Sequence, residues 1–415
     1  MKNKKTNLKL IEPKHVKYNY PLLEKGLSKA DLQKGINVLK TGFITMSKHT
    51  EIFEKEFAKK VKAKYALMVN SGSSANLLAA FASCNPLRKN KFKRGDHALI
   101  PALCWSTSLW PLVQSGLITK FVDVDPKTLN VDPDHLISKI TKKTKVIMLI
   151  NVLGISTDVK KIVNFAKKKN IIVIEDNCEA LGAKLDQKYL GTIGDFGTYS
   201  FFYSHQITSG EGGMIVCNNK EDYEILLALR SHGWSRGKNV YQKNAKKYPH
   251  LDPRYIFINS GFNLRPTDIQ AAIGRNQFKR LDFFKKTRTS NKRKIINSLM
   301  KDKRWKDQFQ FIEYSNRINP SYMVLPILLN EKFFSKKKEF IKLIEKRGLE
   351  TRPIISGSFV NQPSAKLYNL STSKDNFIGA QKVQDLGFVI GLSTMQIDEK
   401  KLKFVTNILF SIDSI

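Results

Sequence analysis

Short apolar runs that alternate with longer amphipathic segments constrain the fold of this chain more than any other feature. The strand-like runs cover residues 65–69, 97–100, 118–123, 145–150 and 171–175. Helical spacing of apolar residues lies between them, as at 158–168. This alternation is typical of βαβ units and predicts an α/β fold built on a mainly parallel sheet. Ligands of such sheets bind at the carboxyl ends of the strands, so the residues that follow these runs are the first candidates for a functional site.

The length of 415 residues favours a large α/β domain followed by a smaller one. We predict a basic N-terminal arm over residues 1–20, a large domain over 21–285 and a small C-terminal α+β domain over 286–415. A helix from Asp268 to about residue 285 is expected to bridge the two domains, and a polar loop at 236–253 to reach a substrate or a neighbouring subunit. The expected elements of the small domain are a strand at 322–327, a helix at 332–346 and a strand at 350–354.

The net charge of +35 raises the question of a nucleic acid or an anionic membrane as a partner. The excess is mostly lysine, is spread through every predicted helix and comes with no nucleic-acid motif, so we interpret it as a solvated surface and expect no nucleic-acid partner. No apolar run reaches the roughly 18 residues that cross a bilayer, and the N-terminal segment is not hydrophobic. We expect a cytoplasmic protein without a membrane contact.

The cysteines lie far apart, each in a largely apolar stretch, and no pair has the spacing of metal ligands. They are Cys84, Cys104, Cys178 and Cys217. We expect buried free thiols and no metal site.

A strand at 65–69 leads into the segment Asn-Ser-Gly-Ser-Ser-Ala-Asn at 70–76, which opens a helix of small residues. The first N–H groups of a helix lack internal partners and the helix dipole adds positive potential, so this junction is a candidate anion site. The alternative is an ordinary N-cap serine. Asp176, at the end of the run 171–175, is a second candidate, although an aspartate at a strand end is often a turn or cap residue.

The most informative segment is 198–213, which reads Thr-Tyr-Ser-Phe-Phe-Tyr-Ser-His-Gln-Ile-Thr-Ser-Gly-Glu-Gly-Gly. A short aromatic strand that carries Ser200 leads to His205, and the glycine-rich turn leads back into an apolar strand at 214–216. The segment resembles the cofactor-lysine segment of the sugar aminotransferases of the DegT/DnrJ/StrS family, in which Ser-Phe-x-x-x-Lys precedes Gly-Glu-Gly-Gly. His205 stands at the position of the lysine.

The resemblance covers nearly the whole chain and implies the fold type I of pyridoxal 5′-phosphate (PLP)-dependent transferases. The other matching motifs are Ser-Gly-Ser-Ser-Ala at 71–75, Pro-Ala-x-x-Trp at 101–105, Glu-Asp-x-Cys-x-Ala-x-Gly at 175–182, Gly-Phe-Asn-x-Arg at 261–265 and Thr-Arg-Pro at 351–353. The spacing between Asp176 and His205 also agrees with that of the family.

The resemblance implies that particular residues bind the cofactor. Ser73 and Ser74 are expected to bind its phosphate, Trp105 to stack on the pyridine ring and Asp176 to pair with the protonated pyridine nitrogen. A tryptophan of the core is the alternative for Trp105. The remaining members of the expected cofactor set are Glu179, Ser200 and Asn263.

Asn263 is expected to reach the cofactor phosphate of the other protomer, which implies a homodimer with shared active sites. His232, Arg265 and Arg352 are candidates for binding the substrate or glutamate. For Arg352, a structural salt bridge is an equal alternative.

His205 changes the expected chemistry. The lysine of an aminotransferase forms a Schiff base with PLP and also moves protons. Imidazole cannot form the stable imine, but its ordinary pKa near 6.5 makes it a competent acid and base. We therefore expect PLP and its amino form, pyridoxamine phosphate (PMP), to be bound without a covalent link and His205 to be the catalytic residue.

Within the family, a histidine at this position marks the 3-dehydratases of dideoxysugar biosynthesis. The resemblance thus implies that L-glutamate donates an amino group, that a nucleotide-linked 4-keto-6-deoxyhexose loses its C3 hydroxyl, and that 2-oxoglutarate and ammonia are released. GDP-linked 4-keto-6-deoxymannose is the expected substrate.

Three other interpretations stay open. A related CDP-sugar subgroup also has the histidine but uses an iron–sulfur cluster, which the scattered cysteines disfavour. The chain could be a nucleotide-sugar aminotransferase that uses another lysine, or an inactive PLP-binding regulatory protein. The sequence does not indicate whether the substrate carries GDP or CDP.

Overall fold

The computed structural model describes residues 18–24, 26–234, 238–370 and 376–415. Its strands, in chain order, are β1 (Tyr65–Val69), β2 (His97–Pro101), β3 (Ile118–Val122), β4 (Thr144–Ile150), β5 (Ile172–Asp176), β6 (Lys184–Leu185), β7 (Lys188–Tyr189), β8 (Phe196–Ser200), β9 (Gly213–Cys217), β10 (Phe309–Phe311), β11 (Ile318–Asn319), β12 (Val324–Leu329), β13 (Thr351–Arg352) and β14 (Gly387–Gly391). Its α-helices are α1 (Lys29–Lys40), α2 (Lys48–Val61), α3 (Gly72–Ser83), α4 (Ser106–Gln114), α5 (Pro133–Ser138), α6 (Val159–Lys168), α7 (Lys220–Arg230), α8 (Lys238–Lys247), α9 (Asp268–Phe278), α10 (Leu281–Met300), α11 (Lys337–Lys346), α12 (Pro363–Leu367), α13 (Ile378–Leu386) and α14 (Glu399–Leu409).

The large sheet has the strand order β1-β9-β8-β5-β4-β2-β3. The pairs β8–β5, β5–β4, β4–β2 and β2–β3 are parallel, while β9 runs antiparallel to both of its neighbours. The predicted α/β fold with a mainly parallel sheet is confirmed.

The central strands are covered on both faces. All residues of β5, β8 and β9 are buried, as expected for apolar strands with helices on either side. Helix α3 packs over β8 and β9. Its small residues, such as Ala75 and Ala79, are fully buried and allow a close approach to the sheet.

The C-terminal part contains a four-stranded antiparallel sheet with the order β10-β12-β14-β13. Helices α11, α13 and α14 belong to the same part of the chain. The expected small α+β unit is therefore present. The predicted boundary at residue 285 lies inside α10, and the exact division of the domains stays a prediction.

Five predicted elements were wrong in detail. The strand expected at 322–327 lies two residues later, as β12, and the first part of the helix expected at 332–346 is a 3₁₀-helix that ends at Lys336. The helix expected to run from Asp268 to about 285 ends at Phe278, because Arg280 leaves the helical conformation and binds the buried Asp31 of α1 at 2.6 Å. The loop expected at 236–253 contains α8. The strand expected at 350–354 is reduced to two residues, since only Thr351 and Arg352 pair with β14.

The four cysteines are free thiols, as expected. Cys104 and Cys217 are buried, but Cys84 and Cys178 are partly exposed. The expectation of complete burial was therefore wrong for these two, because Cys84 ends a helix and Cys178 borders a cavity.

Of the predicted N-terminal arm, residues 1–17 lie outside the described residues. Among the helices that are described, none combines the length and the apolar character that a bilayer span requires.

Candidate active site

A cavity of about 350 Å³ lies at the carboxyl ends of three neighbouring strands. Ile150, Asp176 and Ser200 are the last residues of β4, β5 and β8, and all three line it. The full lining consists of Ser71, Gly72, Ser73, Asn76, Trp105, Thr107, Ser108, Ile150, Asp176, Cys178, Glu179, Ser200, Phe202, His205, Glu211 and Ile355. The position agrees with the expectation for parallel α/β sheets.

Asp176 is held at the floor of this cavity by three donors. Its Oδ2 accepts hydrogen bonds from Asn76 Nδ2 and Ser108 Oγ, both at 2.7 Å, and its Oδ1 accepts one from the Cys178 N–H at 3.0 Å. Thr198 Oγ1 in turn donates to Asn76 Oδ1 at 2.6 Å, which fixes the orientation of that side-chain amide. Asp176 is only 4% exposed, so the orientation of its carboxylate is set before any ligand binds.

The N-terminus of α3 forms one wall. Ser71 is the N-cap and accepts a hydrogen bond from the Ser74 N–H at 3.1 Å. The Ser73 hydroxyl lies at the cavity and donates to Thr107 Oγ1 at 2.8 Å. Ser74 does not line the cavity, because its side chain turns to Asn70 and donates to Oδ1 at 2.6 Å.

Two glycines bring this helix end against the sheet. A Cβ atom at Gly72 would lie 2.6 Å from the Ser200 Cβ, and one at Gly213 would lie 2.4 Å from the Ser71 carbonyl oxygen. Neither position has room for a side chain. The last glycine of the Gly-Glu-Gly-Gly motif therefore lets the loop before α3 pass directly over β9.

Trp105 precedes α4 and is 56% exposed. It lines the cavity, so the alternative of a core tryptophan is wrong. An indole on the rim leaves a ring face free to pack against a flat ligand.

His205 lies on a tight turn that follows β8. Its N–H donates to the Phe202 carbonyl at 3.1 Å, and the Phe202 N–H donates to the Ser200 hydroxyl at 3.2 Å. These two bonds close the turn and bring the imidazole to the rim of the cavity. The ring meets the Phe202 ring edge to face, with the centroids 5.6 Å apart. Its Nδ1 atom is buried and has no hydrogen-bond partner among the described residues.

Two titratable groups at the cavity have shifted pKa values. Loss of bulk water lowers the pKa of His205 to about 4, and the positive charge of Arg288 contributes to the same shift. Burial raises the pKa of Glu179 to about 7, and the negative charge of Asp176 adds to that increase. Near neutral pH the imidazole is therefore an unprotonated base, whereas Glu179 carries a proton part of the time.

A larger cavity of about 760 Å³ lies next to the first and shares part of its wall. The shared residues are Trp105, Glu179, Phe202, His205 and Ile355. Residues of the C-terminal part, including Met323, Val324, Arg352 and Val389, form the opposite wall. We call the first cavity the inner cavity and this one the outer cavity.

Arg352 extends from β13 along the outer cavity, with its side chain 55% exposed. It pairs with Glu350 at 2.7 Å. The salt bridge that was the alternative for Arg352 is thus present, but the guanidinium still faces the open space and keeps donors for a ligand.

The segment before α1 also contributes to the outer cavity, through Pro21, Leu22 and Leu23. The Tyr20 N–H donates to the Gly348 carbonyl at 2.9 Å, and the Tyr20 hydroxyl donates to the Gly391 carbonyl at 3.1 Å. The start of the described chain is therefore fastened to the C-terminal sheet.

Three predicted site residues lie together but line neither of the two cavities. Asn263 accepts a hydrogen bond from Arg265 Nε at 3.0 Å, and the Arg265 guanidinium lies 6.0 Å from the centre of the Trp234 ring. His232 meets the same indole edge to face. Within one protomer, Asn263, Arg265 and His232 are not brought to the candidate site.

A model of the DegT/DnrJ/EryC1/StrS aminotransferase family matches residues 26–401. The chain belongs to this family. A GDP-4-keto-6-deoxy-D-mannose 3-dehydratase of Yersinia pseudotuberculosis is 35% identical over 393 residues, which cover 94% of this chain and 98% of that protein. These findings confirm the resemblance seen in the sequence motifs.

Solved structures of the same family agree with this fold. The Escherichia coli GDP-4-keto-6-deoxy-D-mannose-3-dehydratase with bound hydrated PLP superimposes with a TM-score of 0.84 at 31% identity, over 94% of this chain and 99% of that one. A GDP-4-keto-6-deoxymannose-3-dehydratase with a trapped PLP-glutamate geminal diamine gives a TM-score of 0.82 at 30% identity, with 94% and 100% covered. The chain is thus similar to PLP-dependent enzymes that act on nucleotide sugars.

The inner cavity has the features that a cofactor of this family needs. Asp176 offers a buried carboxylate to a protonated ring nitrogen, Trp105 offers a ring face, and the N-terminus of α3 offers N–H groups to a phosphate. The buried and unpartnered Nδ1 of His205 is a further polar atom at this cavity. These residues fit PLP.

Sequence reasoning missed the residues that support this site. Asn76 and Ser108 hold Asp176, and Arg288 donates to the carbonyl of His205. Asn76 lies at the end of the segment 70–76 that the sequence analysis singled out, but no role was assigned to it, and Ser108 and Arg288 lie on helices without a recognised motif at their positions. The position of Asn76 in the first part of the helix that follows this segment is the one signal that could have pointed to it.

Proposed function

We propose that this protein is a PLP- and PMP-dependent 3-dehydratase of a nucleotide-linked 4-keto-6-deoxyhexose, with GDP-4-keto-6-deoxymannose as the substrate. L-glutamate would be the amino donor, and 2-oxoglutarate and ammonia would be released. Such a lyase would serve the synthesis of a dideoxysugar of a lipopolysaccharide O-antigen. The observation that carries the proposal is an imidazole, His205, at the cavity position where the family has a lysine.

His205 supplies the acid–base chemistry in this proposal. Its pKa is lowered to about 4, so the ring is neutral near pH 7 and can accept a proton from the carbon that becomes acidic when the substrate is bound. The same ring, once protonated, can donate to the departing C3 hydroxyl. PLP, when bound, supplies the electron sink for these steps.

The other residues of the inner cavity hold the cofactor in place without a covalent link. Asp176 pairs with the ring nitrogen, Trp105 covers one ring face, and Ser73 with the α3 N-terminus binds the phosphate. Ser200 and Glu179 border the same space, and the partly protonated Glu179 can donate a hydrogen bond to an oxygen of the cofactor.

The outer cavity is the proposed site of the nucleotide sugar. His205 lies in the wall that the outer cavity shares with the inner one. Arg352 offers positive charge to an anionic group such as a diphosphate. Its apolar lining, for example Met323 and Val324, suits the methyl group of a 6-deoxy sugar.

A second protomer completes the proposed site. Asn263, with Arg265 and His232 beside it, lies outside the cavities of its own chain. We propose that these residues reach the cofactor phosphate or the substrate of the partner in a homodimer with shared active sites.

An aminotransferase is the alternative, because the family includes aminotransferases. That activity needs a lysine that can form an imine with the cofactor. No lysine is among the described residues that line the inner or the outer cavity. A regulatory protein that binds PLP without turnover is the third possibility.

Borohydride separates these alternatives. Reduction of the PLP-loaded protein should leave no covalent cofactor on the chain, whereas the matched variant His205→Lys should be labelled at residue 205. A reduced adduct on the unaltered chain would contradict the lysine-free site and support the aminotransferase.

The activity is tested by mass spectrometry after incubation with PLP, L-glutamate and GDP-4-keto-6-deoxymannose. A 3-dehydratase gives a product that has lost one oxygen and kept the ketone, with ammonia released in equal amount. Replacement of the ketone by an amine would support the aminotransferase. The variant His205→Asn should bind PLP and lose the dehydration, since general acid–base catalysis contributes about 10²- to 10⁴-fold.

A further inference from the structure

Arg288 is a fully buried cation behind the turn that carries His205. It belongs to α10 and is 1% exposed. Its Nη1 donates to the Gln206 carbonyl at 2.9 Å, its Nη2 donates to the His205 carbonyl at 3.2 Å, and its Nε donates to the Leu392 carbonyl at 3.1 Å.

These contacts are unusual for a buried arginine. In the described part of the chain no carboxylate lies within ion-pair distance of the guanidinium. Burial of a charge is costly unless hydrogen bonds satisfy it, and here three main-chain carbonyls do so.

Two of the three carbonyls belong to consecutive residues of one turn. The two carbonyls belong to the successive peptide groups 205–206 and 206–207, so binding both fixes the main chain that follows His205 and with it the direction of the Cα–Cβ bond that carries the imidazole. The third carbonyl, of Leu392, directly follows β14 of the C-terminal sheet. Arg288 therefore connects the His205 turn to the part of the protein that walls the outer cavity.

We propose that Arg288 is a positioning residue that holds the His205 imidazole in the orientation needed for proton transfer and ties that orientation to the C-terminal wall of the outer cavity. Its role in turnover rests on the proposed function of His205. Its role in orientation does not, because the three hydrogen bonds are present without any ligand.

A matched set of variants separates positioning from stability. Arg288→Met removes the charge and all donors, while Arg288→Lys keeps the charge without the planar fork. Asn291→Leu is the control, since Asn291 is also buried on α10 and donates to the Ser393 and Met395 carbonyls at 3.1 and 2.7 Å without touching the His205 turn.

We expect Arg288→Met to lower kcat by about 10²-fold, the scale of a misplaced catalytic group, with the affinity for PLP and the KM for the sugar unchanged. The kcat of Arg288→Lys should lie between the kcat of Arg288→Met and that of the unaltered enzyme. Asn291→Leu should lower the melting temperature and leave kcat per PLP-loaded site unchanged. Equal losses of kcat in Arg288→Met and Asn291→Leu would overturn the proposal, because they would show a general loss of structure.

A second readout needs no turnover. The histidine resonances of the cofactor-free protein are titrated by NMR, and His205 is assigned by its loss in His205→Asn. The charged and titratable groups that face the ring or its turn are Arg288 of α10, Asp176 at the end of β5, Cys178 and Glu179 after β5, Tyr203 of the same turn, Glu211 before β9, and Tyr18, Glu350 and Arg352 across the outer cavity. Of these, only Arg288 is altered in the variants.

Removal of the positive charge in Arg288→Met should raise the pKa of His205. In Arg288→Lys and Asn291→Leu the pKa of His205 should be unchanged. If the pKa of His205 is the same in Arg288→Met as in the unaltered protein, the proposed effect of Arg288 on the imidazole is overturned. If the unaltered protein dehydrates no nucleotide sugar, the proposed function fails, and the titration still decides whether Arg288 acts on His205.

Discussion

Asn76 Nδ2 donates to Asp176 Oδ2 over 2.7 Å, although 100 residues separate the two along the chain. The bond joins the first turn of α3 to the end of β5 beneath the inner cavity. The bond thereby holds two parts of the site at a fixed separation. One is the helix end that is proposed to bind the cofactor phosphate, and the other is the carboxylate that is proposed to bind the ring nitrogen. The cavity is preorganised for a ligand that carries both groups.

We predict that Asn76→Ala weakens PLP binding. The carboxylate of Asp176 would lose one of the three donors that orient it before the cofactor binds, and ordering it on binding would cost about 0.5–1.5 kcal/mol, which corresponds to about 2- to 10-fold in affinity. The affinity is measured by absorbance titration of the cofactor-free protein. Asn85→Ala is the control, because Asn85 is similarly buried but pairs with Asn259 away from the cavity. Equal affinities of the two variants would contradict the prediction.

We predict that Glu179→Gln changes the pH dependence of stability. Folding raises the pKa of Glu179 from its ordinary value of 4.5 to about 7, so the folded state binds the proton more tightly between these values. Stability from this group is present at low pH and is lost as the pH rises from about 4.5 to about 7. The glutamine has no proton to lose, so the melting temperature of Glu179→Gln minus that of the unaltered, cofactor-free protein should increase from pH 5 to pH 8. A difference that is constant with pH would rule this out.

We predict that Arg352→Ala raises the KM for the nucleotide sugar by about tenfold or more, since a charge-assisted hydrogen bond to a diphosphate would be lost. The reaction of bound PLP with L-glutamate, followed by absorbance, should be little affected. Arg347→Ala is a suitable control because Arg347 is exposed at the end of α11 and does not line the outer cavity. If Arg352→Ala instead abolished the reaction with L-glutamate and left the KM for the sugar unchanged, Arg352 would be assigned to binding of the amino donor.

We predict that two inactive variants restore activity when they are combined. In a mixed dimer of His205→Asn with Asn263→Ala, one site would carry both defects and the other none, provided that Asn263 serves the partner's site. Unfolding and refolding of an equal mixture should yield about a quarter of the unaltered activity, because half of the dimers are mixed and each has one intact site. The absence of any recovery from two inactive variants would place Asn263 in the site of its own chain.

Local sequence patterns were enough to predict most strands of the large sheet. The run at 65–69 coincides with β1, and the other predicted strands agree with the structure to within a residue or two. Apolar alternation and strand-end motifs depend on neighbours in sequence, so they can be read without a structure. Asp176, Trp105 and His205 all line the inner cavity, although Trp105 and His205 were singled out by the family resemblance and not by local patterns, and the roles of the three residues stay predictions.

Features that depend on distant partners could not be predicted. The break between α9 and α10 depends on Arg280 reaching Asp31, which lies 249 residues earlier. Arg288 stands in a lysine- and arginine-rich helix, and although its spacing from Phe284 and Ile295 places it on the buried face, the carbonyls that it binds lie in distant segments. Ser74 looked equivalent to Ser73, and only the packed loop shows that its hydroxyl turns to Asn70.

The fastening of Tyr20 to Gly391 has a consequence for the order of folding. The two residues are 371 positions apart, so the hydrogen bond between them cannot form until almost the entire chain has been synthesised. The outer wall of the site, which both ends of the chain build, is therefore assembled after translation of the C-terminal sheet, whereas the inner cavity depends mainly on earlier segments. Most of the inner cavity can therefore form on a ribosome-bound chain before the outer cavity does.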